Sequence, residues 1–156
     1  MVFTLARNRL RRRGGPIAAP KPMPGYSGTP LPKKLGIKGG FRVRLFDMPA
    51  DVRAELKQSL AHCEIVADGK IEADFAMLFT KSKAELWARF RSVAKQLTPA
   101  GALWIGWPKK SSGVASDLTE NVVREVGLAA GLVDVKVCAV TDLWSGLKFV
   151  RRLKDR

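Results

Sequence analysis

No glycine follows the first strand of this chain. Phe41-Arg-Val-Arg-Leu-Phe46 reads as that strand, and Asp47-Met-Pro-Ala50 runs from it straight into a helix. Where a nucleotide-type ligand sits on such a turn, glycine normally lets the backbone approach it closely. Met48 and Pro49 occupy that seat and exclude the ordinary version of the arrangement. Long apolar runs are also missing: none approaches the ~20 residues needed to span a bilayer. A secretory leader is not expected, because the short apolar start precedes the arginines instead of following them. Histidine is confined to His62, with no recognisable Ser or Asp partner for a catalytic set. Cys63 and Cys138 have no metal-ligand spacing and lie in or beside apolar segments, so they read as buried, reduced thiols of a cytosolic protein.

Acidic residues are absent from the first 46 positions, which hold 11 Lys and Arg. The remaining 110 residues hold 17 basic and 14 acidic side chains, so the formal charge of +14 comes mostly from one end. Residues 1–22 form a basic tail with Arg7, Arg9, Arg11, Arg12 and Arg13, expected to be disordered. Two readings of it stand: an arm that contacts nucleic acid or another anionic surface, or an over-extended start ahead of a natural Met23. Residues 23–156 are long enough for one domain, and 46% hydrophobic residues place the chain among globular proteins.

Within that domain, Thr29-Pro-Leu-Pro-Lys-Lys-Leu-Gly36 reads as a short helix, with Thr29 as cap, Pro30 at its first position and Gly36 as terminator. Arg42 and Arg44 alternate in the first strand and suggest a partly exposed face or end. Val52, Leu56 and Leu60 stripe a helix over about 50–61. A weak strand follows at Glu64–Ala67, then the continuous apolar run Phe75-Ala-Met-Leu-Phe79, the mark of a strand buried on both faces. Leu86, Phe90, Val93 and Leu97 stripe the next helix, and Ala102-Leu-Trp-Ile105 is a second buried strand. Asp117 with Glu120 reads as a capping-box variant opening a helix that Gly131 stops. Val133–Val140 and Leu147–Leu153 close the chain as two strands joined around Asp142–Gly146. The alternation predicts an open, mostly parallel α/β sheet of Rossmann type, with helices on both faces and a C-terminal antiparallel pair.

Three spaced motifs carry a resemblance. They are Gly25-Tyr-Ser-Gly-Thr-Pro-Leu31 with Lys33-Lys-Leu-Gly-Ile37, Trp107-Pro-Lys-Lys-Ser-Ser-Gly-Val114 with Asp117-Leu-Thr119, and Val137-Cys-Ala-Val140 with Trp144-Ser-Gly146. Over residues 24–153 the chain resembles a family of small bacterial proteins known only as a domain of unknown function. The resemblance implies a compact cytoplasmic Rossmann-like domain and brings no catalytic residue with it. The element order is itself similar to that of class I methyltransferase-like domains.

Ligands of open parallel sheets collect at the carboxyl ends of the strands. The most informative loop there is Trp107-Pro-Lys-Lys-Ser-Ser-Gly113, where Trp107, Lys109, Lys110, Ser111, Ser112 and Gly113 precede a helix and suit a phosphate or carboxylate. The competing reading is a solvated loop whose helix is already capped by Asp117. Tyr26, Ser27, Thr29 and Lys33 in the opening motif offer a second polar set, or else a plug in which Tyr26 and Leu31 pack on the sheet while Lys33 and Lys34 face water. The leading expectation is a non-catalytic or degenerate methyltransferase-like domain that binds a small anionic ligand or a protein partner, with no cofactor. One alternative is an active adenosylmethionine (SAM)-dependent methyltransferase with an atypical cofactor loop, for which Asp68 is the nearest ribose-binding acid. Another is a nucleic-acid-associated protein acting through residues 1–22. No membrane partner is expected.

Overall fold

The computed structural model describes residues 28–67, 69 and 71–156. The tail, Tyr26, Ser27 and Asp68 lie outside the described residues. In chain order the elements are α1 (Leu31–Leu35), β1 (Arg42–Phe46), α2 (Ala50–Leu60), β2 (Glu64–Ile65), β3 (Ala73–Phe79) and α3 (Lys83–Lys95). They are followed by β4 (Leu97–Pro108), a 3-10 turn (Lys110–Ser112), α4 (Glu120–Ala129), β5 (Leu132–Ala139) and β6 (Trp144–Arg151).

The six strands form one sheet in the order β2-β1-β3-β4-β6-β5. β2, β1, β3 and β4 are parallel, and β6 runs antiparallel to both β4 and β5. The predicted mixed α/β architecture is therefore present. Its two faces carry separate cores. Leu31, Leu35, Val52, Leu56 and Leu60 of α1 and α2 pack with Val43, Phe75, Met77, Phe79 and Trp104 on one side. Leu86, Phe90, Val123 and Val126 of α3 and α4 pack with Ala76, Leu78, Leu103, Leu147 and Phe149 on the other. Successive residues of a strand point to opposite faces, so the uninterrupted apolar run of β3 serves both.

Arg44 corrects the expectation of an exposed strand face. Arg42 is exposed, but Arg44 is only 1% accessible. Its guanidinium donates to the carbonyls of Ala67 (2.7 and 3.0 Å) and Ile71 (2.6 Å). The link from β2 to β3 must cross over β1 in a few residues with no helix of its own. Arg44 lies beneath that crossover and satisfies its carbonyls, which no apolar side chain could do.

Several boundaries differ from the sequence expectation for reasons of pairing. β4 extends to Pro108 and β6 begins at Trp144, because Trp107 pairs with Ser145 and Pro108 with Trp144 across the ribbon. Trp144 and Gly146 are thus strand residues, not loop residues. α4 starts later than expected: Thr119 is its cap, accepting from the Val122 N–H at 3.2 Å. Asp117 instead accepts from the Lys83 N–H at 2.7 Å, tying the preceding loop to the start of α3. At α1 the cap is Pro30 with no side-chain bond, so Thr29 does not cap it, while Gly36 ends the helix at φ 80° as expected.

Candidate functional site

Sheet order reverses between β1 and β3, so the crevice outside their carboxyl ends is where a ligand of this architecture is first sought. Asp47 ends β1 in a left-handed conformation, φ 56°, the only non-glycine with positive φ among the described residues. Its carboxylate accepts from Arg89 Nη1 of α3 at 2.8 Å, and the same guanidinium lies 5.2 Å from the centre of the Phe46 ring. That pair links the end of β1 to α3 across the crevice. Met48 packs against the apolar core beneath α2. Pro49 begins α2 without an N–H to offer, and Asp51 in the first turn accepts from the Thr141 hydroxyl at 2.9 Å. On the β3 side, the Thr80 hydroxyl donates to Glu85.

An adenosyl cofactor needs a bare backbone at this turn and free N–H groups facing it. The described residues supply an anion at the helix start, an aliphatic side chain in the turn and an ion pair across the opening. They do not fit the ordinary seat of that cofactor at this turn.

The loop favoured from sequence is also built differently from its expectation. Trp107 is a core residue, 5% accessible, and does not face a ligand from the loop. Lys109 is held by a backbone bond from its N–H to the Leu143 carbonyl at 2.9 Å. Lys110, Ser111 and Ser112 form the 3-10 turn, and Gly113 closes it at φ 78°. The Ser112 hydroxyl donates to the Lys109 carbonyl at 2.6 Å and accepts from the Val114 N–H, so it is engaged within the turn. Seven residues separate this turn from Glu120, where α4 begins.

The opening motif fares better. Leu31 and Leu35 plug the sheet, and the Trp104 indole N–H donates to the Leu35 carbonyl at 2.9 Å across 69 residues of sequence. Lys34 corrects the water-facing expectation. It is 6% accessible and donates to the Ala139 carbonyl at 2.8 Å. Lys136 of β5 returns the contact, donating to the Lys34 carbonyl at 2.8 Å. These two reciprocal bonds stitch α1 to the edge strand.

Between α1 and β5 they leave a groove of about 390 Å³, lined by Thr29, Lys33, Lys34, Lys136, Val137, Cys138 and Ala139. Burial pushes the Cys138 thiol above its ordinary value, and the ammonium groups of Lys34, Lys136 and Lys109 partly oppose that rise. Thr29 and Lys33 of the opening motif both line this groove, and Lys109 of the other loop does not. Lys136 is the residue that sequence reasoning missed. Its signal was a lysine interrupting an apolar run in the penultimate strand. Cys138 and Cys63 are half-buried and unpaired, and burial likewise raises the Cys63 thiol. His62 is exposed, its carbonyl accepting from the Gly40 N–H at 2.8 Å.

Among the described residues no cluster of three or more His, Cys, Asp or Glu is placed to hold a metal ion. No helix among them is long and apolar enough to cross a membrane.

The fold has clear counterparts. The chain superposes on magnesium protoporphyrin IX methyltransferase from Synechocystis with bound SAM, with a TM-score of 0.51, 12% identity, and coverage of 78% of this chain and 74% of that one. A methyltransferase from Pyrococcus furiosus gives a TM-score of 0.50 at 11% identity, covering 76% and 78%. The architecture is that of a class I methyltransferase-like Rossmann domain. Identities this low establish fold alone. No protein-family model matches the sequence, and no curated protein does either.

Proposed function

We propose that this chain is a methyltransferase-like domain that has lost the cofactor turn and binds a small anionic ligand in the groove between α1 and β5. The observation that carries this reading is the convergence of Lys33, Lys34 and Lys136 on one groove built by reciprocal helix–strand bonds. A phosphate or carboxylate fits such a place. Lysine ammoniums supply charge, and the Thr29 hydroxyl supplies a directional partner. The blocked β1–α2 turn supports the non-catalytic half of the reading. The motif resemblance supports a bacterial cytoplasmic setting, where phosphorylated and carboxylated metabolites abound.

A second reading has its own support in the SAM-bound neighbour of the same fold. It is an active methyltransferase that seats its cofactor away from the β1–α2 turn. Isothermal titration with inorganic phosphate and with adenosylmethionine separates the two. The proposal expects heat from the anion that Lys33→Gln and Lys136→Gln abolish together, and none from adenosylmethionine. Saturable adenosylmethionine binding accompanied by methyl transfer to any acceptor would sink it in favour of the second reading.

A further inference from the structure

A second groove, of about 590 Å³, lies between α1 and α2. Its volume is in the range of small-molecule sites, ~300–1,000 Å³. Pro30, Pro32 and Ile37 give the lining its apolar part, and its polar part is divided between the two helices. Lys33 of α1 and Lys38 of the turn after it supply two cations. Glu55, Gln58 and Ser59 of α2 supply a carboxylate, a carboxamide and a hydroxyl. Spaced three and four apart, these three stand together on one face of α2. Among the described residues, the side chains of Lys33, Lys38, Gln58 and Ser59 have no hydrogen-bond or ion-pair partner, so their donors are open to an occupant.

The cationic side calls for an anion. Gly36, another lining residue, ends α1 in the left-handed conformation. The Lys148 ammonium of β6 lies 3.5 Å from where a β-carbon on that glycine would sit. Burial first, then the charges of Lys136 and Lys38, lower the proton affinity of Lys148. Lys38 thus stands close enough to a second cation to be repelled by it, and an anion at Lys38 would relieve that repulsion. The α2 side calls for hydroxyl groups. A carboxamide and a hydroxyl each donate and accept, and an alcohol does the same, whereas an ammonium only donates and would leave the Gln58 donors unmatched. Glu55 adds acceptor oxygens to the same helix face.

We propose that the α1–α2 groove binds a small polyhydroxylated anion, a sugar acid or sugar phosphate, with Lys33 and Lys38 on its anionic group and Glu55, Gln58 and Ser59 on its hydroxyls. The two sources share one chemistry, a negative group carried on a polyol. This site goes beyond the α1–β5 reading and does not rest on it, since Lys33 alone lines both grooves.

The test is isothermal titration of the full chain with glucuronate and glucose 6-phosphate, with glucose, inorganic phosphate and glutamate as comparisons. At least one sugar anion should bind more tightly than glucose and than inorganic phosphate, and the tighter of the two identifies the anionic group. Lys38→Gln removes a charge-assisted contact and should weaken that binding roughly 10-fold, an effect that shrinks as salt is raised. Gln58→Ala/Ser59→Ala removes neutral hydrogen bonds and should weaken it roughly 10-fold with little dependence on salt. Lys38 and Gln58 are exposed, so thermal melting should show both variants folded like the parent. Sugar anions that bind no better than inorganic phosphate, or that bind equally well to either variant, overturn the proposal. So does glucose binding as tightly as its anions, or glutamate binding where neither sugar anion does. Lys136→Gln lies outside this groove and should leave sugar-anion binding intact, while the Gln58/Ser59 variant should leave phosphate binding at α1–β5 intact, so the failure of one reading is distinguishable from failure of the other.

Discussion

Replacing Lys148 by Met should stabilise the protein. The side chain sits in β6 between Trp104 and Lys136, with the ammonium over Gly36. A like charge about 8 Å away contributes roughly 0.5 kcal/mol of repulsion at the dielectric of water. Partial burial is the first cause of the Lys148 penalty, and the like charges of Lys136 and Lys38 add to it. With solvent screening discounted, the variant should gain about 1 kcal/mol, or about 3 °C in melting temperature for a domain of this size. Methionine keeps the apolar stem and fills the same space flexibly. The pH dependence supplies the sharper readout. Because the folded-state value of Lys148 lies below its ordinary 10.5, its penalty is fully present below that folded value. The penalty then disappears as pH rises through it towards 10.5. Urea denaturation of both proteins across neutral to alkaline pH should therefore show a gap that narrows towards the alkaline end. A variant less stable than the parent at neutral pH, or a gap that widens with pH, would refute the reasoning.

Three further substitutions probe other parts of the structure. Trp104→Phe removes the indole N–H from the Leu35 carbonyl and leaves a void under α1, so chemical denaturation should report a loss of roughly 2–4 kcal/mol. A loss below about 1 kcal/mol would mean that α1 is not anchored there. At Asp47, where φ is 56°, alanine should be less stable than glycine by about 1 kcal/mol, since both lose the Arg89 pair but only alanine bears the left-handed strain. Equal denaturation midpoints for the two would contradict the backbone geometry. Asp134→Asn tests the α4–β5 ion pair: the hydrogen bond from Arg124 holds the Asp134 carboxyl below its ordinary 3.8. Its stabilising contribution is present above that value and lost as pH falls through the folded one, so the difference from the parent should close in acid. A difference that persists at low pH would show that the pair is not responsible.

Much of the fold was legible because it is written in local periodicity. Val52, Leu56 and Leu60 line one side of α2, and Phe75 to Phe79 form a strand between two cores, as their spacing indicates. Expectations failed where a distant partner decided the outcome. Asp117 looked like a cap, but its carboxylate was drawn to the Lys83 N–H, 34 residues away, and Thr119 took the role. Trp107 and Trp144 looked like loop residues until β4 and β6 were paired past their expected ends. Arg44 looked exposed because nothing in sequence announces a helix-free crossover needing a donor beneath it. The groove was the least legible feature of all. Its halves meet through a bond between Lys136 and Lys34, 102 residues apart, and each lysine alone resembles an ordinary surface charge.

The account turns on a closed turn at β1–α2 and an open basic groove at α1–β5. Both are tested together by nuclear magnetic resonance titration of the labelled protein with adenosylmethionine and, separately, with inorganic phosphate. The expected result is phosphate-induced shifts at Thr29, Lys33 and Lys136, and no saturable response to adenosylmethionine at Asp47 or Met48. Saturable adenosylmethionine shifts centred on Asp47 and Met48, with the groove silent to phosphate, would contradict it.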